Sequence, residues 1–462
     1  MALHDQEREP YQLILFRMSS NEILLSDESS QIALPTISIP RYVRPAEWVV
    51  EALNRLLNIQ GYCLFTTAQE SESNCARRFA VASTLSDKSI PPGGFRWFAA
   101  QRLADEARLD APTVAIVKQV LEGSQGENEF EKGFFARPGW LAEIMTWADE
   151  QISPFGFYLT RKFAQLNASP TFSLLRLETN GPAVWLKAVG QPNLQEFFIS
   201  REVARLFPQF VPRIIGARED CKAWLTLEVP GNHPDKESGA TVWEGIAETL
   251  ARLEIASLGR ALHLINAGFR DSRLCTLGDL VAPFVDVVGA LMERQPRDQP
   301  KPMSRTELQT LAAQMKESVF AFGNLSLPNV LVHLDFNPGN ILVSDSGRVF
   351  LDWAEAAAGP CFLTLQYLRE HIRQLQPRDS AAESRAISAY VKAWSAFLDP
   401  ASVRGALSLS PLVALIVYAL SGTEWRRENV RSEHRTASHL RSLARRMKKE
   451  VDLAERAMAC RS

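Results

Sequence analysis

The chain of 462 residues has six cysteines and no CxxC pair among Cys63, Cys75, Cys221, Cys275, Cys361 and Cys460. That spacing excludes a disulfide framework and a cysteine zinc site, and reads as ordinary reduced thiols. An excess of either charge is also missing. The 51 Lys+Arg and 53 Asp+Glu leave a net of −2, which gives no reason to expect a nucleic-acid partner. Long hydrophobic runs are absent: the longest purely apolar stretch, Leu412 to Leu420, is about half of the ~20 residues a membrane helix needs. The first residues, MALHDQEREPYQ, are polar and acidic, unlike a signal peptide. These absences point to a soluble cytoplasmic protein without a membrane partner. What remains is ordinary globular composition, 46 % hydrophobic and 23 % charged, in a chain too long for one compact domain.

Read along the chain, residues 1–135 form one mixed α/β region. Tyr11–Phe16 and Gly61–Thr66 look like strands, and Arg44–Leu57 carries apolar residues at helical spacing behind Pro45. Phe98–Leu109 and Pro112–Leu121 also look helical, and the polar stretch Glu122–Lys132 is the best candidate linker. Residues 136–156 contain a connecting helix at Trp140–Gln151. From 157 to 231 the pattern is strand-rich (Phe157–Leu166, Phe172–Thr179, Ala183–Val189, Ala223–Val229), interrupted by one helix near Leu194–Phe207. Residues 232–462 are mostly helical, with a polar strand-and-loop island at Val330–Gly359. A small β-rich part followed by a helical part suggests two lobes with a cleft, a common place for a ligand.

The island carries the chemistry. Three apolar runs (330–332, 341–343 and 349–351) each deliver a polar residue at one end, and Ser344-Asp345-Ser346-Gly347 is good hairpin sequence between the last two. Pairing those two runs brings Asn340 and Asp352 close although they lie twelve residues apart, and Pro338-Gly339 lets Asp335 bend back toward them. One amide and one carboxylate suit Mg²⁺, which takes few protein ligands and keeps phosphate oxygens and water. A further carboxylate outside the metal shell can orient a hydroxyl and accept its proton, which completes what phosphoryl transfer requires. A bare H-x-D-x-x-x-x-N can also be a polar loop capping strands. The additional acid at hairpin spacing favours the functional reading.

His333-Leu-Asp-Phe-Asn-Pro-Gly-Asn-Ile-Leu342 followed by Phe350-Leu-Asp-Trp-Ala-Glu355 resembles the catalytic and metal-binding segments of the aminoglycoside phosphotransferase / choline kinase-like family. The resemblance implies an α+β, two-lobed protein-kinase-like fold, here preceded by a separate N-terminal domain, and ATP- and Mg²⁺-dependent phosphorylation of a small-molecule hydroxyl. It implies Asp335 as the catalytic Asp within a loop at 333–340, and Asn340 and Asp352 as metal ligands, with the metal segment at 352–355. Glu355 is a secondary candidate, and His333 is expected to brace the loop. Upstream, Lys187 in the apolar run Ala183–Val189 is similar to the lysine that contacts nucleotide phosphates. Of the two glutamates that follow, Glu196 has capping spacing with Asn193, and Glu202, in mid-helix, resembles the partner of that lysine. Ala223–Gly231 resembles the strand entering the hinge. Pro230 has no N–H, so the Glu228 carbonyl and Val229 amide are the expected adenine contacts.

Some features depart from that pattern. No GxGxxG is present, and Ser169, Thr171 and Ser173 occupy the first hairpin instead. Where many relatives place an Asp after Gly359-Pro360, this chain offers Thr364 for the loop-bracing role. Residues 1–135 vaguely resemble a Nudix-type domain but lack its catalytic box, leaving a docking or substrate-covering module as the alternative. From Arg426 to Lys449 nine Lys/Arg stand against Glu428 and Glu433. If this end lies near the acceptor, a neutral or anionic substrate is expected rather than a polycation; otherwise it is a solvated helix face. The rival readings are a catalytically silent kinase-like regulatory protein and a protein kinase. The first is opposed by the filled positions 187, 335, 340 and 352, the second by the lack of an Ala-Pro-Glu-type segment.

Overall fold

The computed structural model describes residues 7–459 except 20, 27–32, 70–76, 106–108, 124–133, 170, 428–429 and 431–432. Most of the expected linker Glu122–Lys132 therefore lies outside the described residues. The fold is α+β, and the chain divides into two compact units. One comprises Met1–Phe197 with Arg213–Glu228, the other Phe198–Pro212 with Val229–Ser462.

The first unit holds two sheets. Arg8–Phe16 lies inside a mixed six-stranded sheet, parallel to Arg77–Thr84 and antiparallel to both Glu22–Ser26 and Thr36–Pro40. Its end Leu13-Ile14-Leu15-Phe16 is buried on both faces, which explains a continuous apolar run where a one-sided strand would alternate. The helix Pro45–Leu57 covers one face through Ala46, Val49, Leu53 and Leu57 and stops at Asn58 in the left-handed conformation. The run expected as a helix from Phe98 to Leu109 begins instead as the strand Phe95–Ala99, followed by the helix Ala100–Asp105, and residues 106–108 lie outside the described residues. The aromatic residues at 95, 97 and 98 favour the sheet.

The second sheet is antiparallel, in the order Ile214–Arg218, Ala223–Leu227, Val184–Val189, Phe172–Thr179, Leu159–Ala168. Ile214–Arg218 escaped the sequence reading because it is short and interrupted by Gly216. Trp140–Ile152, expected as a connector, is a core helix with Trp140, Leu141, Ile144, Ala148 and Ile152 buried in a cluster that draws on both sheets. The two sheets are also joined by a polar contact. Gln165, only 2 % exposed, donates to the Cys63 carbonyl at 2.7 Å and accepts from the Cys63 amide at 2.8 Å, beside a register shift at Cys63/Phe65. The bulge leaves that peptide short of ladder partners, and the amide side chain supplies both.

The second unit is helical around a small sheet ordered Arg270–Asp271, Ala356–Pro360, Asn329–His333, with the separate hairpin Ile341–Ser344/Gly347–Phe350. Pro400–Ser421 and Leu274–Glu293 are long and apolar enough to cross a membrane by length and composition. Here Pro400–Ser421 contributes Leu412, Val413, Ile416, Val417 and Leu420 to the core. Gly231, at φ 144°, lets the chain press against the hairpin, since a Cβ there would meet the Val343 carbonyl oxygen at 2.6 Å. The contact is closed by Asn232 and Val343, whose amides and carbonyls exchange bonds of 2.9 and 3.0 Å.

Helix Ala240–Ala256 buries Glu254 completely. Its Oε2 accepts from the Tyr390 hydroxyl, which in turn accepts from the Phe362 amide at 3.0 Å, while Oε1 has no partner. Burial pushes the Glu254 carboxyl up to about 8, with the Tyr390 bond pulling the other way. The folded chain thus keeps a proton that the unfolded chain releases from its ordinary value of 4.5 upward. Stability therefore falls as pH rises from that value toward about 8. Urea titrations of Glu254→Gln should show a flatter loss across this window than the parent; equal slopes would refute the assignment. Gln165→Ala should lower stability by about 2–6 kcal/mol, from two orphaned main-chain groups at about 1–3 kcal/mol each, in the same assay.

Candidate active site

The site in the second unit is built from the strand Asn329–His333, which is hydrogen-bonded on one side only, to Ala356–Pro360. Its other edge is buried, so the outward amides need partners. Ser257 Oγ accepts from the Leu331 amide at 2.8 Å, and Thr364 Oγ1 accepts from the His333 amide at 3.1 Å. Thr364 thus takes the bracing position expected of it. The residue before its helix, Phe362, sits at φ 74° with its ring against Tyr390.

Beyond the strand the chain alternates buried and exposed residues. Phe336 and Trp353 are buried, whereas Asp335 and Asp352 are exposed. His333 lies within the aromatic group, 5.5 Å from Phe336 and 4.6 Å from Trp353 between ring centroids. Its Nε2 donates to the Leu351 carbonyl at 2.9 Å, which assigns the neutral tautomer and leaves Nδ1 buried without a partner. Burial lowers the His333 pKa against the pull of that bond and of Asp352 and Asp335, so the ring stays neutral. It serves as a strut between the two loops.

Asp335 is held by two amides. Asn337 Nδ2 donates to Oδ1 at 2.9 Å, and Asn340 Nδ2 donates to Oδ2 at 3.1 Å and to the Asp335 carbonyl at 2.9 Å. Asn337 also accepts from the Gly339 amide at 2.9 Å, fixing the turn through Pro338–Asn340. The hairpin register continues past Ile341↔Phe350 to a 2.8 Å bond from the Leu351 amide to the Asn340 carbonyl. Asn340 is thereby set beside Asp352, which adopts φ 57°. That left-handed conformation costs an ordinary residue about 1–2 kcal/mol and turns the side chain out of the strand direction.

With its nitrogen committed to Asp335, Asn340 has an amide oxygen with no hydrogen-bond partner among the described residues. That oxygen and the exposed Asp352 carboxylate are hard donors of the kind Mg²⁺ accepts. Among the described residues no group of three or more His, Cys, Asp or Glu forms a closed metal cage. Glu355, the secondary candidate, faces Arg270. Its Oε2 stands 3.7 Å from Arg270 and has no hydrogen bond. Burial raises the Glu355 pKa, Arg270 opposes, and Asp335, Glu424 and Asp352 add to the rise.

In the first unit, Lys187 lies on Val184–Val189 opposite Trp224 and Leu174, with its Nζ over the rings of Phe172 and Trp224 at 5.7 and 6.0 Å. It forms an ion pair with Glu196, not with Glu202. Glu202 instead binds Arg205, with bonds of 2.6 and 2.8 Å, and His263 at 2.6 Å, which hold its pKa down at about 2. The reason is helical phase. Glu196 shares the buried stripe of Ile199, Val203 and Phe207, at steps of three, four and four, while Glu202 falls beside that stripe. A single charged residue on an apolar stripe was the signal that could have found it.

Glu228 uses its side chain to grip Arg176 at 2.6 and 2.9 Å and to accept from Trp185 Nε1 at 3.3 Å. The chain passes from one unit to the other between Glu228 and Val229. The hairpin hydroxyls are occupied locally. Ser169 Oγ meets Thr171 Oγ1 at 3.1 Å and accepts from the Phe172 amide at 3.1 Å, and Ser173 Oγ donates to the Asn167 carbonyl at 3.4 Å.

Residues 195–406 match the model of the phosphotransferase enzyme family. Among solved structures, the chain is similar to a macrolide 2'-phosphotransferase from Brachybacterium faecium at 17 % identity, covering 65 % of this chain and 98 % of that one, with a TM-score of 0.45. It is also similar to a choline kinase from Streptococcus pneumoniae (11 % identity, 66 % and 99 % covered, TM-score 0.44). A third is an ethanolamine kinase from Plasmodium vivax (12 % identity, 73 % and 95 % covered, TM-score 0.47). A search of the curated proteins finds no match. The match to the phosphotransferase enzyme family model spans the strut His333, the Asp335 loop and the Asn340–Asp352 hairpin.

Proposed function

We propose that the chain transfers the γ-phosphoryl group of Mg²⁺-bound ATP to a hydroxyl of a small molecule. The observation that carries this reading is the Asp335 carboxylate, exposed yet clamped by Asn337 and Asn340 on a loop adjoining the Asn340–Asp352 pair. Asp335 is the group that orients the acceptor hydroxyl and takes its proton. The clamp fixes the direction of both carboxylate oxygens, so little reorganisation remains at the moment of transfer.

Asn340 Oδ1 and Asp352 would hold the cation, which when bound neutralises phosphate charge. Lys187, paired with Glu196 and flanked by Phe172 and Trp224, would meet the nucleotide phosphates. The main chain at Glu228 and Val229 is proposed to read the adenine. Use of ATP, together with free thiols at Cys63, Cys221, Cys275 and Cys361, fits a cytoplasmic enzyme.

Asp335→Asn should lower kcat by about 10²–10⁴, the usual worth of a positioned base, with nucleotide binding retained. Wild-type turnover by that variant would sink the proposal. Asp352→Ala should abolish the Mg²⁺-dependent part of ATP binding, measured by calorimetry with and without the metal. Thr364→Val leaves the His333 amide unpaired and should cost about 1–3 kcal/mol and lower kcat, whereas Thr364→Ser should restore both.

A further inference from the structure

A cavity of about 290 Å³ in the second unit is lined by Arg270, Glu355, Tyr418, Glu424, Arg435 and His439, with Ala419, Trp425 and Leu440 as apolar wall. Glu355 lies three residues beyond Asp352, in the turn closed by the 3.0 Å bond from the Ala356 amide to the Trp353 carbonyl, so the cavity adjoins the segment that bears Asp352. Its volume sits just below the range of about 300–1,000 Å³ usual for ligand pockets, which limits the occupant to a small molecule.

The polar groups of the wall are incompletely satisfied. Glu355 Oε2 is shielded from water and lacks a hydrogen bond, with Arg270 too far at 3.7 Å to donate one. Glu424 and Arg435 have no ion-pair partner among the described residues. The other basic side chains of the last helix are largely committed elsewhere. Arg441 donates to the Leu291 carbonyl at 3.3 Å, Arg445 to the Pro300 carbonyl at 3.2 Å, and Arg446 pairs with Glu370 at 3.0 Å. Among the described residues of that basic run, Arg435 lines the cavity.

A polycation would meet Arg270 and Arg435, and a dianion would meet Glu355 and Glu424. A molecule carrying one charge of each sign satisfies both walls. We propose that this cavity binds the acceptor and that the acceptor is a small hydroxylated zwitterion, its ammonium group held by Glu355 and Glu424 and its carboxylate by Arg435. This rests on the phosphotransfer reading above. In the reaction the acceptor oxygen bonds to the γ-phosphorus as the bond to the β,γ-bridging oxygen breaks. ADP leaves with that electron pair, and the hydroxyl proton passes to Asp335.

The test is ADP release by the full chain with Mg²⁺-ATP and a series of hydroxy-α-amino acids from serine upward in chain length. Each is matched by the amino alcohol lacking the carboxylate and the hydroxy acid lacking the amine. The expected result is turnover of a zwitterion in preference to both of its matched analogues. Arg435→Gln should raise the KM for that zwitterion by about tenfold, the worth of one charge-assisted bond, while leaving kcat and any amino-alcohol rate unchanged. Glu424→Gln should raise KM for the zwitterion and leave any hydroxy-acid rate unchanged. Equal or better use of the amino alcohol, or an unchanged KM in Arg435→Gln, overturns the proposal. No zwitterion turnover in samples that bind Mg²⁺-ATP by calorimetry overturns it while sparing the phosphotransfer reading; failure to bind Mg²⁺-ATP removes both.

Discussion

A buried strand edge cannot leave its amides unpaired, and the candidate active site depends on how this chain meets that demand at Asn329–His333. Ser257 and Thr364, from two different helices, supply hydroxyls to the Leu331 and His333 amides. The strand is thereby locked between those helices, and everything downstream inherits its position. His333 ends the strand and ties the Leu351 carbonyl, which links the loop bearing Asp335 to the segment bearing Asp352. The buried rings of Phe336 and Trp353 then force the neighbouring acids outward. Exposure of the carboxylates follows from burial of the aromatics.

The first unit shows the same economy with different chemistry. Gln165 repairs a main-chain gap opened by the bulge at Cys63, and in doing so joins the N-terminal sheet to the sheet that carries Lys187. With the shared apolar cluster around Trp140, this makes the N-terminal residues part of the scaffold under Lys187. The Lys187–Glu196 pair is nearly buried, at 16 % and 5 % side-chain exposure. Removing both charges from water is costly, and such pairs are weak contributors to stability.

The basic C-terminal run illustrates how tertiary contacts redistribute a sequence feature. Counted along the chain it is a block of one sign. Folded, Arg441 is buried against a helix end, Arg445 and Arg446 are drawn to Gln295 and Glu370, and Arg435 reaches the cavity beside Glu355. The electrostatics of the site are set by one or two of these residues and by the opposing Glu355 and Glu424.

The sequence by itself determined the hairpin, because turn residues and alternating apolar runs are local, and with it the pairing of Asn340 and Asp352. It also determined the lysine strand, the bracing role of Thr364 and the helical character of the second unit. Local patterns do not specify which face of a helix meets a sheet, so Glu196 and Glu202 were separable only by phase against a packed neighbour. The same limit applies to Gln165 and Glu254, whose partners Cys63 and Tyr390 lie far away in the chain. Only the tertiary structure brought Arg270, Glu355, Tyr418 and Arg435 around one cavity. These residues come from segments with no common motif, and what unites them is a shared wall and unspent hydrogen-bonding capacity.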